Sequence, residues 1–171
     1  ARPAKGNPPH QALNLPHCRG RWAVRAAGLW ACGRRLPAPR QLGLQGSPGR
    51  ISQDYVLLIY AAADIVVVPS MFEPCGLTQL IAIRYGALPV VRRTGGLADT
   101  VFDVDETDEG NGFVFDGTDE ASLENALGRA IKYYKEKPDW WAQRTAKNLR
   151  SDCSWRESAK QYVQLYYGIS A

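Results

Sequence analysis

Residues 60–104 constrain the fold of this chain more than any other segment. They contain a β-branched apolar run at 65–68, which ends at Pro69, and a second apolar run at 88–91. Runs of this kind are typical of strands that are buried on both faces of a parallel sheet. Apolar residues at helical spacing follow each run and indicate helices that alternate with the strands. The sequence therefore predicts an α/β fold with a parallel sheet flanked by helices.

The predicted helices follow the strands in order. The first is expected to carry Pro74 in its first turn and to end at Gly86, because proline suits a helix start and glycine suits the C-terminal cap. Its apolar face is predicted to consist of Leu77, Leu80, Ile81 and Tyr85. A second helix is predicted to start within 97–102, a third strand at 112–115, and further helices at 122–134, 139–149 and 155–167.

The charge distribution separates a basic tail from the rest of the chain. Residues 1–53 contain nine Lys or Arg, seven of the 11 prolines and no acidic residue, so their charge is +9, whereas residues 54–171 carry −5. The high isoelectric point is thus a property of the tail and does not indicate a nucleic-acid-binding fold. We divide the chain into an irregular, disordered basic tail at 1–50 and one folded domain at 51–171. The tail is interpreted as sequence that is not native to the fold, as an organelle transit peptide, or as a basic arm for an acidic partner.

Membrane and metal-binding classes are not indicated by the sequence. The longest apolar run, 61–69, is interrupted by Asp64, so no segment is long enough to cross a membrane. The four cysteines are Cys18, Cys32, Cys75 and Cys153. They form no Cys-x-x-Cys pair, and both histidines lie in the tail. The sequence therefore predicts no metal site, no cofactor and reduced thiols.

Chemically distinctive residues gather after the first two predicted strands. In parallel sheets, ligands bind beyond the carboxyl ends of the strands, where the loop 70–78 begins. The backbone N–H groups at 76–78 are expected to be free at a helix start, where the helix dipole favours an anion. Glu73 is suited to accept hydrogen bonds from sugar hydroxyls, and the glycines of the 94–96 turn permit close approach of a ligand. This arrangement predicts a site for a nucleotide phosphate and a sugar.

Five short motifs follow one another in the folded part. They are FEPCGLTQ at 72–79, RYG at 84–86, PVVRRTGGLADTV at 89–101, GFVFDG at 112–117 and DCSW at 152–155. Together they resemble the C-terminal domain of starch synthases and bacterial glycogen synthases, over about two-thirds of the chain. These are retaining glycosyltransferases of the GT-B type, with two Rossmann-like domains. The resemblance implies that residues 51–171 are part of a C-terminal, nucleotide-sugar-binding Rossmann-like domain.

The resemblance also implies an activity and a set of partners. The family transfers glucose from ADP-glucose to the non-reducing end of an α-1,4-glucan, with retention of configuration. ADP-glucose and the glucan are therefore the expected partners, without nucleic acid or membrane, and association with other starch-synthesis enzymes is considered as well. The VFDVD segment at 101–105 is more similar to plant and algal starch synthases than to bacterial enzymes. The expected location is accordingly the plastid, either chloroplast or amyloplast, in soluble form.

By the same resemblance, residues of the predicted site receive roles. Glu73 is expected to be the catalytic residue and to contact the transferred glucose. Cys75 and Gly76 are expected to line the sugar pocket, while Leu77 and Thr78 hold the distal phosphate through backbone and hydroxyl groups. The nucleotide-sugar-binding set is completed by Thr94, Gly95 and Gly96.

Each of these roles has a structural alternative. Glu73 could interact only with the helix dipole, Cys75 could fill a small buried space, and Thr78 could be an ordinary first-turn residue. The two glycines could do no more than form a tight turn. The Arg92-Arg93 pair is more typical of a solvated strand end than of a phosphate site. The Trp140-Trp141 pair is more typical of a core than of a glucan-stacking platform.

Parts of the family pattern are missing from this sequence. It contains neither the Lys-x-Gly-Gly loop of the family's N-terminal domain nor the Arg/Lys pair that opens the C-terminal domain. The family's Leu-Ser-His is replaced by residues 55–58, Tyr-Val-Leu-Leu. Because the leaving ADP would lose its main charge neutralisation, we expect this chain by itself to be inactive. The alternative interpretations are a non-catalytic module that binds nucleotide or glucan, and an inactive fragment.

Overall fold

The computed structural model describes residues 22–26, 29–33 and 53–169, with side chains described from 56 to 169. Strands and helices alternate from the third strand onward, as predicted. In chain order the elements are β1 (Trp22–Ala26), β2 (Leu29–Gly33), α1 (Gln53–Ala62), β3 (Ile65–Val68), α2 (Thr78–Arg84), β4 (Leu88–Arg92), α3 (Gly95–Thr100), β5 (Phe113–Phe115), α4 (Glu120–Glu136), α5 (Pro138–Arg150) and α6 (Trp155–Ile169).

The described strands form one sheet in the order β1-β2-β3-β4-β5. β3, β4 and β5 are parallel, with Val67 opposite Val90 and Val90 opposite Phe113. All four residues of β3 and all three of β5 are buried, as expected for strands that helices cover on both faces. The predicted parallel sheet with flanking helices is therefore confirmed for these three strands.

β1 and β2 belong to the basic tail. They run antiparallel to each other, with Ala26 opposite Leu29, and β2 runs antiparallel to β3, with Ala31 opposite Val66. The prediction of an irregular tail is wrong for these two segments. The physical reason is that a strand edge with free N–H and C=O groups readily accepts another extended segment, and β3 offers such an edge. The rest of the tail, and the predicted boundary near residue 50, lie outside the described residues.

Each face of the sheet has its own hydrophobic core. On one face α1, α2 and α3 pack around Val66 and Leu97. On the other face α4 and α5 pack around Val67 and Phe113, and Trp141 stacks on Phe113 with 6.3 Å between ring centroids. Adjacent strand residues serve opposite cores because side chains alternate across a sheet. Trp141 is only 8% exposed, in agreement with its interpretation as a core residue.

The start of α2 differs from the prediction. The helix begins at Thr78, so Pro74 precedes it and does not occupy its first turn. A backbone φ of +73° at Gly76 turns the chain just before the helix and delays its start. The buried residues of α2 are Gln79, Ala82 and Ile83. Of the predicted apolar face, Leu77 and Tyr85 are 65% and 39% exposed, whereas Leu80 and Ile81 are half-buried.

The end of α2 follows the prediction. Gly86 has a φ of +85°, and its N–H donates to the carbonyl of Ile83 at 3.1 Å. The N–H of Ala87 donates to the carbonyl of Ala82 at 2.9 Å. These two bonds form a Schellman motif, in which glycine adopts the left-handed conformation without strain. The predicted C-terminal cap at Gly86 is confirmed.

A buried ion pair joins α4 to the sheet. The Asp103 side chain, 3% exposed, accepts hydrogen bonds from Arg129 at 2.8 Å and from the Val114 N–H at 2.6 Å. Burial opposes the charge on Asp103, but hydrogen bonds from Arg129 and from the amides of Asp105 and Val114 outweigh it. The pKa of Asp103 is therefore below its ordinary value.

The predicted C-terminal helices are confirmed as α4, α5 and α6. Asp119 caps α4 by accepting a hydrogen bond from the Ser122 N–H at 2.9 Å. No residue of α6 is buried, and Trp155 and Tyr167 are 84% and 75% exposed. None of the helices within the described residues is long and apolar enough to cross a membrane.

Candidate functional site

The loop between β3 and α2, residues 69–77, lies at the carboxyl end of β3, where the sequence predicts the site. Glu73 is half-buried in this loop. The Ser70 hydroxyl donates a hydrogen bond to the Glu73 carboxylate at 3.0 Å. A carboxylate that accepts such a bond is held in one orientation and keeps a second oxygen for another donor. Glu73 can therefore accept a hydrogen bond from a hydroxyl of a bound sugar.

Arg92, the last residue of β4, holds the first part of this loop. Its Nε donates to the carbonyl of Ser70 at 3.0 Å, and its guanidinium also donates to the carbonyl of Met71. Two donor groups of the guanidinium are thus engaged by the protein backbone, so Arg92 holds a loop and is not merely a solvated strand end. Sequence reasoning missed this role, because the two carbonyls are brought to Arg92 only by the pairing of β3 with β4.

Arg93 lies at the same strand end and is also paired. It makes ion pairs with Glu106 at 2.6 Å and with Asp116 at 2.9 Å. The hydrogen bond with Glu106 is the largest cause that raises the pKa of Arg93. All three side chains are exposed to more than a third, so these pairs stabilise the fold only modestly.

The Thr94-Gly95-Gly96 turn packs directly against the backbone of the Glu73 loop. The Gly96 N–H donates to the carbonyl of Glu73 at 3.0 Å. A Cβ on Gly95 would lie 2.1 Å from the Glu73 carbonyl oxygen, and one on Gly96 would lie 2.0 Å from the Cys75 carbonyl oxygen. The glycines are therefore required by the approach of two loops to each other. Their predicted contact with a ligand stays a prediction.

Gly76 and Gln79 lie on the buried side of the loop. Gln79 is completely buried, and its Nε2 donates to the carbonyls of Gly76 at 2.8 Å and of Cys75 at 3.3 Å. A Cβ on Gly76 would lie 2.6 Å from Gln79 Oε1. Glycine is thus required at 76 by the left-handed φ and by the amide beneath it. The sequence signal for Gln79 was a polar residue at core spacing, three and four positions before Ala82 and Ile83.

The remaining predicted site residues lie at the helix start. Cys75 is exposed and its thiol is free, so it does not fill a buried space. The Thr78 side chain is a hydrogen-bond partner of Tyr60, whose pKa is raised chiefly by burial and lowered in part by that bond. The N–H groups of the first helical turn have no partner within the helix. These groups and Cys75 are placed where the sequence predicts a ligand.

Leu77 lies on an apolar groove beside the predicted site. The groove has a volume of about 370 Å³ and runs between α2 and the link from α5 to α6. The predicted apolar face of α2 lines it, together with residues 151–154 of the link. The leucine side chain therefore contacts this groove, and only its backbone is available to a phosphate at the loop.

No group of three or more His, Cys, Asp or Glu within the described residues is arranged to hold a metal ion. The two cysteines whose side chains are described, Cys75 and Cys153, both have free thiols. The arrangement instead offers backbone N–H groups, a hydroxyl and one oriented carboxylate. These are groups that bind phosphate and sugar oxygens through hydrogen bonds.

The chain matches known glycosyltransferases in sequence. The model of the family described as glycosyl transferases group 1 matches residues 44–148. A glycogen synthase of Protochlamydia amoebophila is 48% identical over 124 residues, which cover 70% of this chain and 25% of that protein. The chloroplastic/amyloplastic starch synthase 3 of Arabidopsis thaliana is 51% identical over 118 residues, which cover 64% of this chain and 11% of that protein. The resemblance to starch and glycogen synthases is thus confirmed.

The fold gives the same result. The catalytic domain of starch synthase IV from Arabidopsis thaliana, solved with bound ADP and acarbose, aligns with a TM-score of 0.64 and 44% identity. The alignment covers 69% of this chain and 25% of that chain, so the present chain spans a quarter or less of each of these relatives. The family match extends over more than half of the chain and includes both loops of the predicted site. The chain belongs to the group 1 glycosyl transferases.

Proposed function

We propose that the chain forms the donor-binding part of a glucosyltransferase that uses ADP-glucose. The reaction is transfer of glucose to the non-reducing end of an α-1,4-glucan with retention of configuration. The observation that carries the proposal is the loop 69–77, whose backbone carbonyls accept hydrogen bonds from Arg92, Gly96 and Gln79. That loop lies within the segment that is about half identical to starch and glycogen synthases. ADP bound to the related starch synthase IV supports the choice of nucleotide.

The proposal gives each group of the loop a task. The Glu73 carboxylate accepts hydrogen bonds from the transferred glucose and is the catalytic residue. Cys75 and Gly76 line the sugar pocket, and Leu77 and Thr78 hold the distal phosphate through backbone and hydroxyl groups. The Gly76 N–H is a further donor to that phosphate. Oriented N–H groups stabilise the charge that develops on the leaving phosphate, which lowers the barrier to transfer. The sugar nucleotide also lies against the turn formed by Thr94, Gly95 and Gly96.

We further propose that the chain acts in a plastid. The support is its 51% identity to a chloroplastic/amyloplastic starch synthase, together with the VFDVD segment at 101–105. Bacterial glycogen synthases are nearly as similar, so the location is tested by detecting the native protein with an antibody in plastid and cytosolic fractions of its source cells. Enrichment in the plastid fraction is expected, and detection confined to the cytosolic fraction would contradict the proposal. Association with other starch-synthesis enzymes stays a prediction.

The nucleotide site is tested by titrating the chain with ADP and with ADP-glucose while amide NMR shifts are recorded. ADP is expected to bind with a dissociation constant of about 1 mM, or about −4 kcal/mol, and to shift the amides of Gly76, Leu77 and Thr78. ADP-glucose is expected to bind more tightly, because Glu73 contacts only the sugar.

The variant Glu73→Gln separates the two parts of the donor. It is expected to remove the advantage of ADP-glucose over ADP and to leave ADP binding unchanged. Glu106→Gln, which alters an exposed carboxylate outside the loop, is the matched control and should change neither. Shifts that gather at Trp140 and Trp141, with Leu77 and Thr78 silent, would show that the site is misplaced.

A further inference from the structure

Gln79 is a fully buried polar side chain whose hydrogen bonds all lead to the predicted site. Its Nε2 carries two protons: one is donated to Thr100 Oγ1 at 3.0 Å, and the other is shared between the carbonyls of Gly76 at 2.8 Å and Cys75 at 3.3 Å. Its Oε1 is buried and has no hydrogen-bond partner within the described residues. A buried amide oxygen without a partner is costly. The fold therefore retains this amide at the expense of stability.

The direction of the two carbonyls determines the direction of two N–H groups. In a trans peptide the C=O and the following N–H point to opposite sides. The Cys75 carbonyl shares its peptide plane with the Gly76 N–H, and the Gly76 carbonyl shares its plane with the Leu77 N–H. Because Gln79 draws both carbonyls toward the core, both N–H groups face away from it. The N–H groups of Gly76 and Leu77 thereby point to the side of the loop opposite Gln79, where the phosphate is proposed to bind.

Thr100 connects the Gln79 side chain to the 94–96 turn. Its hydroxyl accepts from Gln79 Nε2 and donates to the Gly96 carbonyl at 2.5 Å. The Gly96 N–H in turn donates to the carbonyl of Glu73 at 3.0 Å. The bonds form a closed ring through Glu73, the loop backbone, Gln79, Thr100 and Gly96. Both loops of the predicted site are therefore held in one mutual arrangement.

We propose that Gln79 is a positioning residue, which together with Thr100 turns the Gly76 and Leu77 N–H groups outward to receive the phosphate of the sugar nucleotide. The proposal rests on the proposed function for the identity of the ligand. Its structural part, the orientation of the loop by the amide, can be measured without any ligand. Two readouts therefore distinguish a failure of this inference from a failure of the nucleotide site.

The test compares Gln79→Met with Asn148→Leu in the full chain. Methionine keeps the length of the side chain and removes its donor. Asn148 is also a buried amide, 3% exposed, and donates to the Asn111 carbonyl at 2.9 Å, outside the Glu73 loop. It is therefore a matched control for the loss of a buried amide hydrogen bond. Thr100→Val is a second variant that breaks the same ring should Gln79→Met fail to fold, and Thr100→Ser restores the hydroxyl.

Hydrogen exchange reports on the loop itself. In Gln79→Met and Thr100→Val, exchange of the Gly96 N–H is expected to rise about tenfold more than that of the Leu88 N–H, which donates to Asp64 in the sheet. In Asn148→Leu and Thr100→Ser the two amides should change by the same factor. If exchange of the Gly96 and Leu88 amides rises by the same factor in Gln79→Met or Thr100→Val, the proposal is overturned, regardless of the result for ADP binding.

ADP titration reports on the consequence for the ligand. The dissociation constant is expected to rise about tenfold in Gln79→Met and Thr100→Val, and to stay within twofold in Asn148→Leu. Loss of Gly96 protection with unchanged ADP affinity would overturn the proposal. If the unsubstituted chain does not bind ADP, the proposed function is contradicted, and the exchange experiment alone decides whether Gln79 orients the loop.

Discussion

Glycines of the predicted site are required by neighbouring atoms of the chain rather than by a ligand alone. At Gly95 and Gly96 the backbone of the Glu73 loop occupies the place of a side chain, and at Gly76 the Gln79 amide does. From the sequence, a glycine next to a predicted anion site indicates close approach of the ligand. The close approach was foreseen, but its partner was not, because the segment that meets Gly95 and Gly96 is about 20 residues away and only the folded sheet brings it near.

Two glycine-to-alanine variants test this interpretation at the residue scale. Gly96→Ala is expected to lower the free energy of unfolding by about 2 kcal/mol, because the new Cβ would overlap the Cys75 carbonyl. Gly128→Ala, in the middle of α4, has no atom within 4 Å of the new Cβ. It is expected to raise the free energy of unfolding by about 0.5–1 kcal/mol through helix propensity. Urea unfolding measures both, and a similar loss in the two variants would contradict the contact at Gly96.

At the scale of elements, the sequence predicts structure best where a local pattern decides it. β3 and the Schellman end of α2 depend on an apolar run and on one glycine, and both are confirmed. The buried face of α2 depends on tertiary contacts, since Gln79 enters the core to hold a loop while Leu77 and Tyr85 stay accessible. The role of Thr78 came from the family resemblance, that of Glu73 from its chemistry and the resemblance together, and that of Thr94 from its place in the turn. Their ligand contacts await the titrations above.

The ion pair between Asp103 and Arg129, which joins α4 to the sheet, can be tested by substitution. Asp103→Asn is expected to destabilise the fold by about 2 kcal/mol, since it removes the buried carboxylate that accepts hydrogen bonds from Arg129 and Val114 and leaves the half-buried Arg129 with Asp105 as its acidic partner. Glu124→Gln, an exposed change on the same helix, should cost less than about 0.5 kcal/mol. Thermal and urea unfolding measure both, and equal effects would show that the ion pair contributes little.

The lowered pKa of Asp103 predicts that the stability of the fold depends on pH. The pKa of Asp103 in the folded state lies below its value of 3.8 in the unfolded chain. Its contribution is therefore complete above about pH 5 and is lost as the pH falls through 3.8 toward the lower, folded-state value. Unfolding measured between pH 6 and pH 3 should show a smaller loss of stability in Asp103→Asn than in the unsubstituted chain. Identical slopes would contradict the assignment.

At the scale of the whole molecule, alternation of strands and helices predicts the central parallel sheet but not its extension. β3, β4 and β5 carry the apolar runs that identify buried parallel strands. β1 and β2 lie in proline-rich, basic sequence, and their pairing depends on a free edge of β3 that no local pattern in the tail reveals. The sheet therefore has a parallel part, which carries the predicted site, and an antiparallel part contributed by the tail.

The antiparallel extension of the sheet also affects how readily molecules of this chain aggregate. Without β2, β3 would expose a row of backbone groups beside four apolar side chains, which is a template for strand addition between molecules. A truncated variant that begins at Ser52 is expected to form large particles in dynamic light scattering at micromolar concentration. Removal of the chain from Trp155 onward, which includes α6 and none of whose described residues is buried, should leave the chain monodisperse. A monodisperse variant from Ser52 would contradict this view, in which the basic segment protects its own molecule from fibre growth.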